Sequence, residues 1–358
     1  MRKLASIKII NDIRPIEGRD RIELAIIDGW SIIVKKNEFN IGDKCIYIEI
    51  DSVLPEKPEF EFLRSKNFRI KTMKMAGVIS QGICFPLSFL PEGNYEVEQD
   101  VTDILGIKQY SETMDIEPES KPADKNKWPR WLMRYKWFRK LVLRSKREIK
   151  GFPKFISKTD ETRIQNMPFI LEDKREWVAT EKIDGQSGTF CLVRHKAPLP
   201  FMKDKFEFIV CSRNLRIYHK DNSSYWRVAE RYQLENVLKN MIGTKEWIAI
   251  QGECIAPNVQ GNKYKVSEPD LYVFNLIYPT GRMPSEMAKR LCENRGLKFV
   301  PILDTKYILP GTVDEILLYA HGQSAIGDTL REGIVSRSKD GQRSFKAVDP
   351  LYLIHYNE

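Results

Sequence analysis

Histidine is scarce in this 358-residue chain. Only His195, His219, His321 and His355 occur, and none stands at zinc-ligand spacing from another. The six cysteines (Cys45, Cys84, Cys191, Cys211, Cys254, Cys292) lie far apart, mostly in apolar strand-like surroundings, and form no Cys-x-x-Cys pair. These absences argue against histidine chemistry, a zinc site and a disulfide framework, and the thiols are expected to be reduced, buried and structural. No apolar run approaches the roughly 20 residues that cross a bilayer. The start, Met1-Arg2-Lys3-Leu4-Ala5-Ser6-Ile7-Lys8, lacks the apolar core of a signal peptide. An intracellular, cytoplasmic protein without membrane contact is the expectation. Internal repeats and low-complexity tracts are also lacking.

What is present is the composition of a folded protein, 42% hydrophobic and 30% charged, long enough for two cores. The net charge of +9 is concentrated. Between Lys125 and Gly151 eleven Lys or Arg face one acid, Glu148, a local net of +10 that leaves about −1 for everything else. The stretch has helical periodicity, with Trp131, Tyr135, Phe138 and Val142 on one face and Lys136, Lys140, Arg144 and Arg147 opposite. A solvated face with a docked aromatic stripe explains the aromatics but not ten excess charges. Such clustering repels itself unless an anion is near, which favours contact with a nucleic-acid backbone, and a membrane-surface helix ranks last.

The first hundred residues read as short strands: Ala5–Ile10, Ile22–Ile27, Trp30–Val34, Cys45–Ile50, Arg69–Met75 and Ile79–Phe85, several separated by turn signals such as Asp28-Gly29. Such spacing predicts a small OB-like barrel, with a ligand-free structural β-domain as the plainer alternative. Residues 109–124 are rich in Ser, Glu, Asp and Pro, as a linker is. From Trp177 strands return, interrupted by helical patterns over Tyr225–Met241, Pro284–Arg295 and Val313–Ala320. The predicted architecture is α+β, an OB-like barrel over 1–108, a linker and basic helix over 109–157, and an antiparallel-sheet domain over 158–358.

Within that last domain, Thr180-Glu181-Lys182-Ile183-Asp184-Gly185 sets a lysine at a strand end, then a carboxylate, then a glycine that permits a sharp turn. Alone, Lys-x-Asp-Gly is more often a turn with an exposed lysine. It is followed in order by Ser212-Arg213-Asn214, Gln251-Gly252-Glu253, Tyr272-Val273-Phe274-Asn275, Arg331-Glu332-Gly333-Ile334-Val335 and Ser344-Phe345-Lys346-Ala347-Val348. Each has an ordinary structural explanation, from surface arginine to core phenylalanine. As an ordered set they resemble the six nucleotidyltransferase motifs shared by RNA ligases, DNA ligases and messenger-RNA capping enzymes.

The barrel placed ahead of the motifs, with Arg69–Lys74 running to Ser80-Gln81-Gly82 and with Lys158–Asn166, makes the resemblance closest to ATP-dependent RNA ligases carrying a leading OB-like domain. It implies a lysyl-AMP intermediate on Lys182 and the joining of a 3′-hydroxyl to a 5′-phosphate RNA end, with a nicked duplex in RNA repair as the expected substrate. A free lysine has a pKa near 10.4, so roughly one amine in two thousand is nucleophilic at neutral pH. Positive charge from Lys346 or a divalent metal, or partial burial, is expected to lower it. By the resemblance, Asp184, Glu253 and Glu332 hold Mg²⁺ or Mn²⁺, partly through water. Lys346 touches the α-phosphate, Phe274 stacks on adenine, Arg213 binds ribose or the terminal phosphate, and Glu181 belongs to the ATP site. Lys158 and Arg163 stand where departing phosphates would be bound, with a helix N-cap as the competing reading. The pattern departs at Ser344, where many relatives carry the first lysine of a Lys-x-Lys pair. The second cation is then Arg343 or absent. A DNA ligase, a capping guanylyltransferase and a non-enzymatic OB-fold RNA-binding module are the alternatives.

Overall fold

The computed structural model describes residues 3–110, 151–197, 203–218 and 223–356. The basic helix with Lys136, Lys140, Arg144 and Arg147, and nearly all of the expected linker, lie outside the described residues.

The N-terminal strands are β1 (Ala5–Ile9), β2 (Asp12–Pro15), β3 (Ile22–Ile27), β4 (Trp30–Lys35), β5 (Lys44–Ile48), β6 (Ser52–Val53), β7 (Thr72–Met75), β8 (Val78–Gln81), β9 (Ile83–Phe85) and β10 (Lys108–Gln109). They form the antiparallel sheet β1-β5-β9, the meander β2-β3-β4, the hairpin β7-β8 and the pair β10-β6, wrapped around one core that includes Ile7, Trp30, Ile46, Ile48 and Phe60. This is the OB-like region. The single strand expected over Ile79–Phe85 is two strands parted at Gly82. Gln109 and Tyr110, expected in the linker, still belong to this region, since Gln109 pairs with Ser52 and the Tyr110 amide donates to Asp51 O at 2.8 Å.

The second region holds β11 (Glu176–Lys182), β12 (Gln186–His195), β13 (Lys205–Cys211), β14 (Trp247–Ile255), β15 (Asp270–Tyr278), β16 (Gly281–Arg282), β17 (Lys298–Phe299), β18 (Ile302–Ile308), β19 (Gly333–Ser338) and β20 (Ser344–Val348). Two sheets result, β18-β11-β19-β20 and β13-β12-β14-β15-β16, with β17 parallel to β15. Helices Ser224–Arg231, Leu234–Met241 and Ser285–Glu293 bury Val228, Leu238, Ala288 and Cys292 against the larger sheet. The continuous helix expected over Tyr225–Met241 is broken at Gln233, whose backbone is left-handed (φ 47°). Helix Val313–Ala320 packs on the smaller sheet and opens with a capping box, Thr312 Oγ1 accepting from the Glu315 amide while the Glu315 carboxylate accepts from the Thr312 amide.

The expected 158–358 domain does not keep all its residues to itself. Val348, and Tyr352 and Leu353 from helix Pro350–His355, pack into the N-terminal core. Trp30 Nε1 donates to Asn166 Oδ1 at 3.2 Å and Asn166 Nδ2 to Glu49 at 2.6 Å, so polar and apolar contacts together join the two regions.

Candidate active site

Lys182 is the last residue of β11, in register with Gly333. A side chain at Gly333 would force the strands apart, because its Cβ would lie 2.1 Å from the Ala347 carbonyl oxygen on β20. The close approach at this glycine sets Glu332 beside the lysine, and Lys182 Nζ donates to Glu332 Oε2. Gly185 does the same work on the other sheet. A Cβ there would meet the Cys254 carbonyl at 2.6 Å and the Glu253 side chain at 3.1 Å, so the Asp184-Gly185 turn lies directly against β14. Four of the expected residues are thereby brought together: Lys182 at the end of β11, Asp184 in the turn that follows, Glu253 on β14 and Glu332 just ahead of β19.

Their charges interact strongly. Burial pulls the Lys182 ammonium down, but the Glu332, Glu253 and Asp184 carboxylates outweigh it and hold the amine above its ordinary pKa. The expectation is that positive charge from Lys346 or a divalent metal, or partial burial, lowers this pKa; burial does act in that direction, but the three carboxylates reverse the net shift in the free protein. Burial pushes the Glu253 carboxyl up to about 8; Glu332 and Asp184 add to the rise, while Lys182 and a 3.1 Å hydrogen bond from Ser187 oppose it. Among the described residues no three His, Cys, Asp or Glu side chains converge closely enough to ligate a metal directly. The concentration of negative charge around Lys182 is the feature that would attract a divalent cation, and Mg²⁺ commonly keeps several of its waters when bound.

Asp184 is held at both its side chain and its backbone. Its Oδ2 accepts from Lys263 Nζ at 2.5 Å and from the Tyr352 hydroxyl at 2.7 Å, while its amide donates to the Tyr264 hydroxyl at 2.9 Å. None of these three partners was visible in the sequence patterns.

Lys346 lies on β20, and Nζ donates to Asp160 Oδ1 at 3.0 Å. Burial brings its pKa down to about 8, helped by the charges of Arg163 and Lys182 and opposed by Asp160. Arg213 reaches the same Asp160 at 2.8 Å and so stands beside Lys346, while Lys158 donates to Asn214, the neighbour of Arg213, at 2.9 Å. Arg163 is different. Its guanidinium is buried 3.7 Å from Asp51 and 5.8 Å from the Trp30 ring, so it makes an inter-domain contact while its backbone bridges to Lys346. An inter-domain cavity of about 400 Å³ lies here, lined by Lys8, Glu49, Glu98, Asp160, Arg163 and Lys346.

Glu181 points away from this cluster and is fully buried, accepting from Ser324 Oγ at 2.5 Å and the Ala325 amide at 2.8 Å. Phe274 falls where β15 slips register: Gln251 pairs with Asn275 and Gly252 with Val273, leaving Phe274 as the bulged residue. Bulges re-aim side chains, and the Arg337 guanidinium lies 6.0 Å from this ring. At Ser344 the hydroxyl donates to Glu161 at 2.5 Å and accepts from Arg282 at 3.3 Å, and Arg337 lies 3.3 Å from Glu161. Arg343, considered as the second cation, pairs instead with Asp173 at 3.5 Å. The positive charge near Ser344 comes from Arg282 and Arg337. Asp160 and Glu161 sat in a stretch the sequence singled out, but for its cations.

Comparison with known proteins agrees with this geometry. A family model described as RNA ligase matches residues 175–348, and one described as an OB-fold domain matches residues 4–87. A search of curated protein sequences found no match. Among solved structures, a Naegleria gruberi RNA ligase with PPi is 30% identical, covering 99% of this chain and 98% of that one at a TM-score of 0.79. Two mutants of that ligase, one with AMP and Mn and one with ATP and Mn, are each 31% identical, with 98% of both chains covered and TM-scores of 0.78. On fold, site and similarity together, the chain belongs to the RNA ligase family, with an OB-fold region preceding its nucleotidyltransferase domain.

Proposed function

We propose that this ATP-dependent RNA ligase takes AMP onto Lys182, and that the observation carrying the assignment is one lysine at a strand end ringed by Glu332, Glu253 and Asp184. Lys182 Nζ attacks the α-phosphorus of ATP, the bond to the β-phosphate oxygen breaks, and pyrophosphate leaves. The lysine gives up its proton as the P–N bond forms. AMP then passes to a 5′-phosphate end, and attack by a 3′-hydroxyl seals the strand and releases AMP. The Naegleria relatives held with ATP and Mn, AMP and Mn, and PPi support this sequence of species.

Asp184, Glu253 and Glu332 hold a hydrated Mg²⁺ or Mn²⁺. When bound, the cation offsets the negative charge that keeps Lys182 protonated and neutralises charge on the α-phosphate. Lys346 contributes a second positive charge there, Phe274 offers its ring to adenine, and Arg213 with Lys158 serves the ribose or terminal phosphates. Arg282 and Arg337 supply the charge that Ser344 lacks.

The substrate proposed is RNA with 3′-hydroxyl and 5′-phosphate ends in a nicked duplex, in RNA repair, with the 2′-hydroxyl distinguishing it from DNA. The six cysteines are free and buried, which fits a reducing, cytoplasmic compartment. Incubation with ATP labelled at the α-phosphate tests the assignment: wild type acquires covalent AMP and Lys182→Ala does not. Labelling of the Ala variant would move the nucleophile elsewhere, and GTP in place of ATP tests the capping alternative.

A further inference from the structure

We propose that Lys263 and Tyr352 are positioning residues for Asp184, fixing the orientation of its carboxylate toward the hydrated cation and tying it to the N-terminal core. The inference rests on the reading that Asp184 helps hold that cation. Both donors act on the same oxygen, Oδ2, Lys263 at 2.5 Å and Tyr352 at 2.7 Å. Two donors on one oxygen restrain rotation of the carboxylate, and charge-assisted bonds of this kind are the stronger ones. The next residue, Tyr264, accepts from the Asp184 amide, so adjacent residues of one loop hold the side chain and the backbone of the same aspartate.

Lys263 is itself constrained. Its side chain is 10% exposed, and Nζ lies 4.9 Å from the Tyr352 ring centroid and 4.4 Å from that of Tyr356, as cation–π contacts require. The helix Pro350–His355 that supplies Tyr352 begins at Asp349, whose amide donates to the Glu332 carbonyl at 2.9 Å. One short helix thus touches two of the three carboxylate residues, while Tyr352 and Leu353 sit in the N-terminal core. Residues that orient a metal-binding group from behind typically change metal affinity or activity about 10- to 100-fold when removed.

The test measures Mn²⁺ binding directly, by loss of the free-ion electron paramagnetic resonance signal. It uses the full chain with a non-hydrolysable ATP analogue, and compares wild type with Asp184→Asn, Lys263→Met and Tyr352→Phe. Tyr352→Phe keeps the buried ring and deletes only the donor, so it reports on positioning even if Lys263→Met folds poorly. The expected result is Mn²⁺ affinity about tenfold or more weaker in all three. If Asp184→Asn weakens binding while Tyr352→Phe binds as wild type, the positioning role is overturned and the reading of Asp184 survives. Tighter Mn²⁺ binding by Lys263→Met also overturns it, since Lys263 would then compete with the ion. Wild-type affinity in Asp184→Asn overturns the reading itself and the inference with it.

Discussion

Replacing Glu332 by Gln should make Lys182 chemically more reactive while making the enzyme worse. In the free protein the amine is kept protonated by Glu332, Glu253 and Asp184 against the opposing effect of burial. Glutamine keeps the size and an acceptor oxygen but deletes one full charge, the one that bonds Nζ directly. A hydrogen bond to a charged group contributes about 1.5–3 kcal/mol. The Lys182 side chain is 24% exposed, so the low end applies. Since 1.36 kcal/mol is tenfold in a proton equilibrium, the unprotonated fraction should rise roughly tenfold. Competitive acetylation with trace acetic anhydride at pH 8, read by peptide mass spectrometry against exposed lysines, measures that fraction without ATP. The same variant, given α-labelled ATP and Mn²⁺, should form lysyl-AMP far more slowly because a carboxylate facing the cation is gone. Unchanged or reduced acetylation of Lys182 in Glu332→Gln would refute the electrostatic account.

Lys346 has a folded-state pKa of about 8, below its ordinary 10.5, so the folded protein binds fewer protons than the unfolded chain between those values. Stability should therefore rise as pH climbs through that window, by on the order of 3 kcal/mol at most, and urea unfolding of Lys346→Met should lack this rise. Ser344→Ala removes the hydroxyl shared by Glu161 and Arg282 and should cost about 1 kcal/mol in urea unfolding, whereas Arg343→Ala, which loses only its contact with Asp173, should form lysyl-AMP at the wild-type rate. Gly333→Ala must push β19 from β20, because its Cβ would lie 2.1 Å from Ala347 O. It should lower the melting temperature and abolish lysyl-AMP formation together, and a variant that melts normally and labels normally would contradict the register described.

The cluster around Lys182 was legible because its members belong to short motifs that follow one another in a fixed order, with Asp184 and Glu332 each standing next to a glycine whose need is local. The partners of Asp184 were not. Lys263 and Tyr352 lie 79 and 168 residues from it, in a tight turn and a six-residue helix, neither of which carries a periodic signal. That helix did have a start signal, Asp349 followed by Pro350, the N-cap and first-turn residues such a helix favours. The strand at Ile302–Ile308 escaped notice because Asp304, Thr305 and Lys306 interrupt its apolar residues at the sheet edge. At Phe274 the residue type was readable but the bulge that re-aims it was not, since a register slip depends on the neighbouring strand. The contacts of Arg163 with Asp51 and Trp30 were also hidden, since a buried inter-domain arginine and an exposed one look alike in a list of residues.

The helix at Pro350–His355 also sets an order of events during synthesis. The barrel strands end near Gln109, yet Val348, Tyr352 and Leu353, which complete their core, are translated roughly 240 residues later. At about 5–20 residues per second that is an interval of some 10–50 s in which the nascent barrel exposes an apolar patch. The first folding unit to leave the ribosome is thus among the last to be finished, and an isolated N-terminal fragment should be poorly soluble until helix 350–355 is supplied.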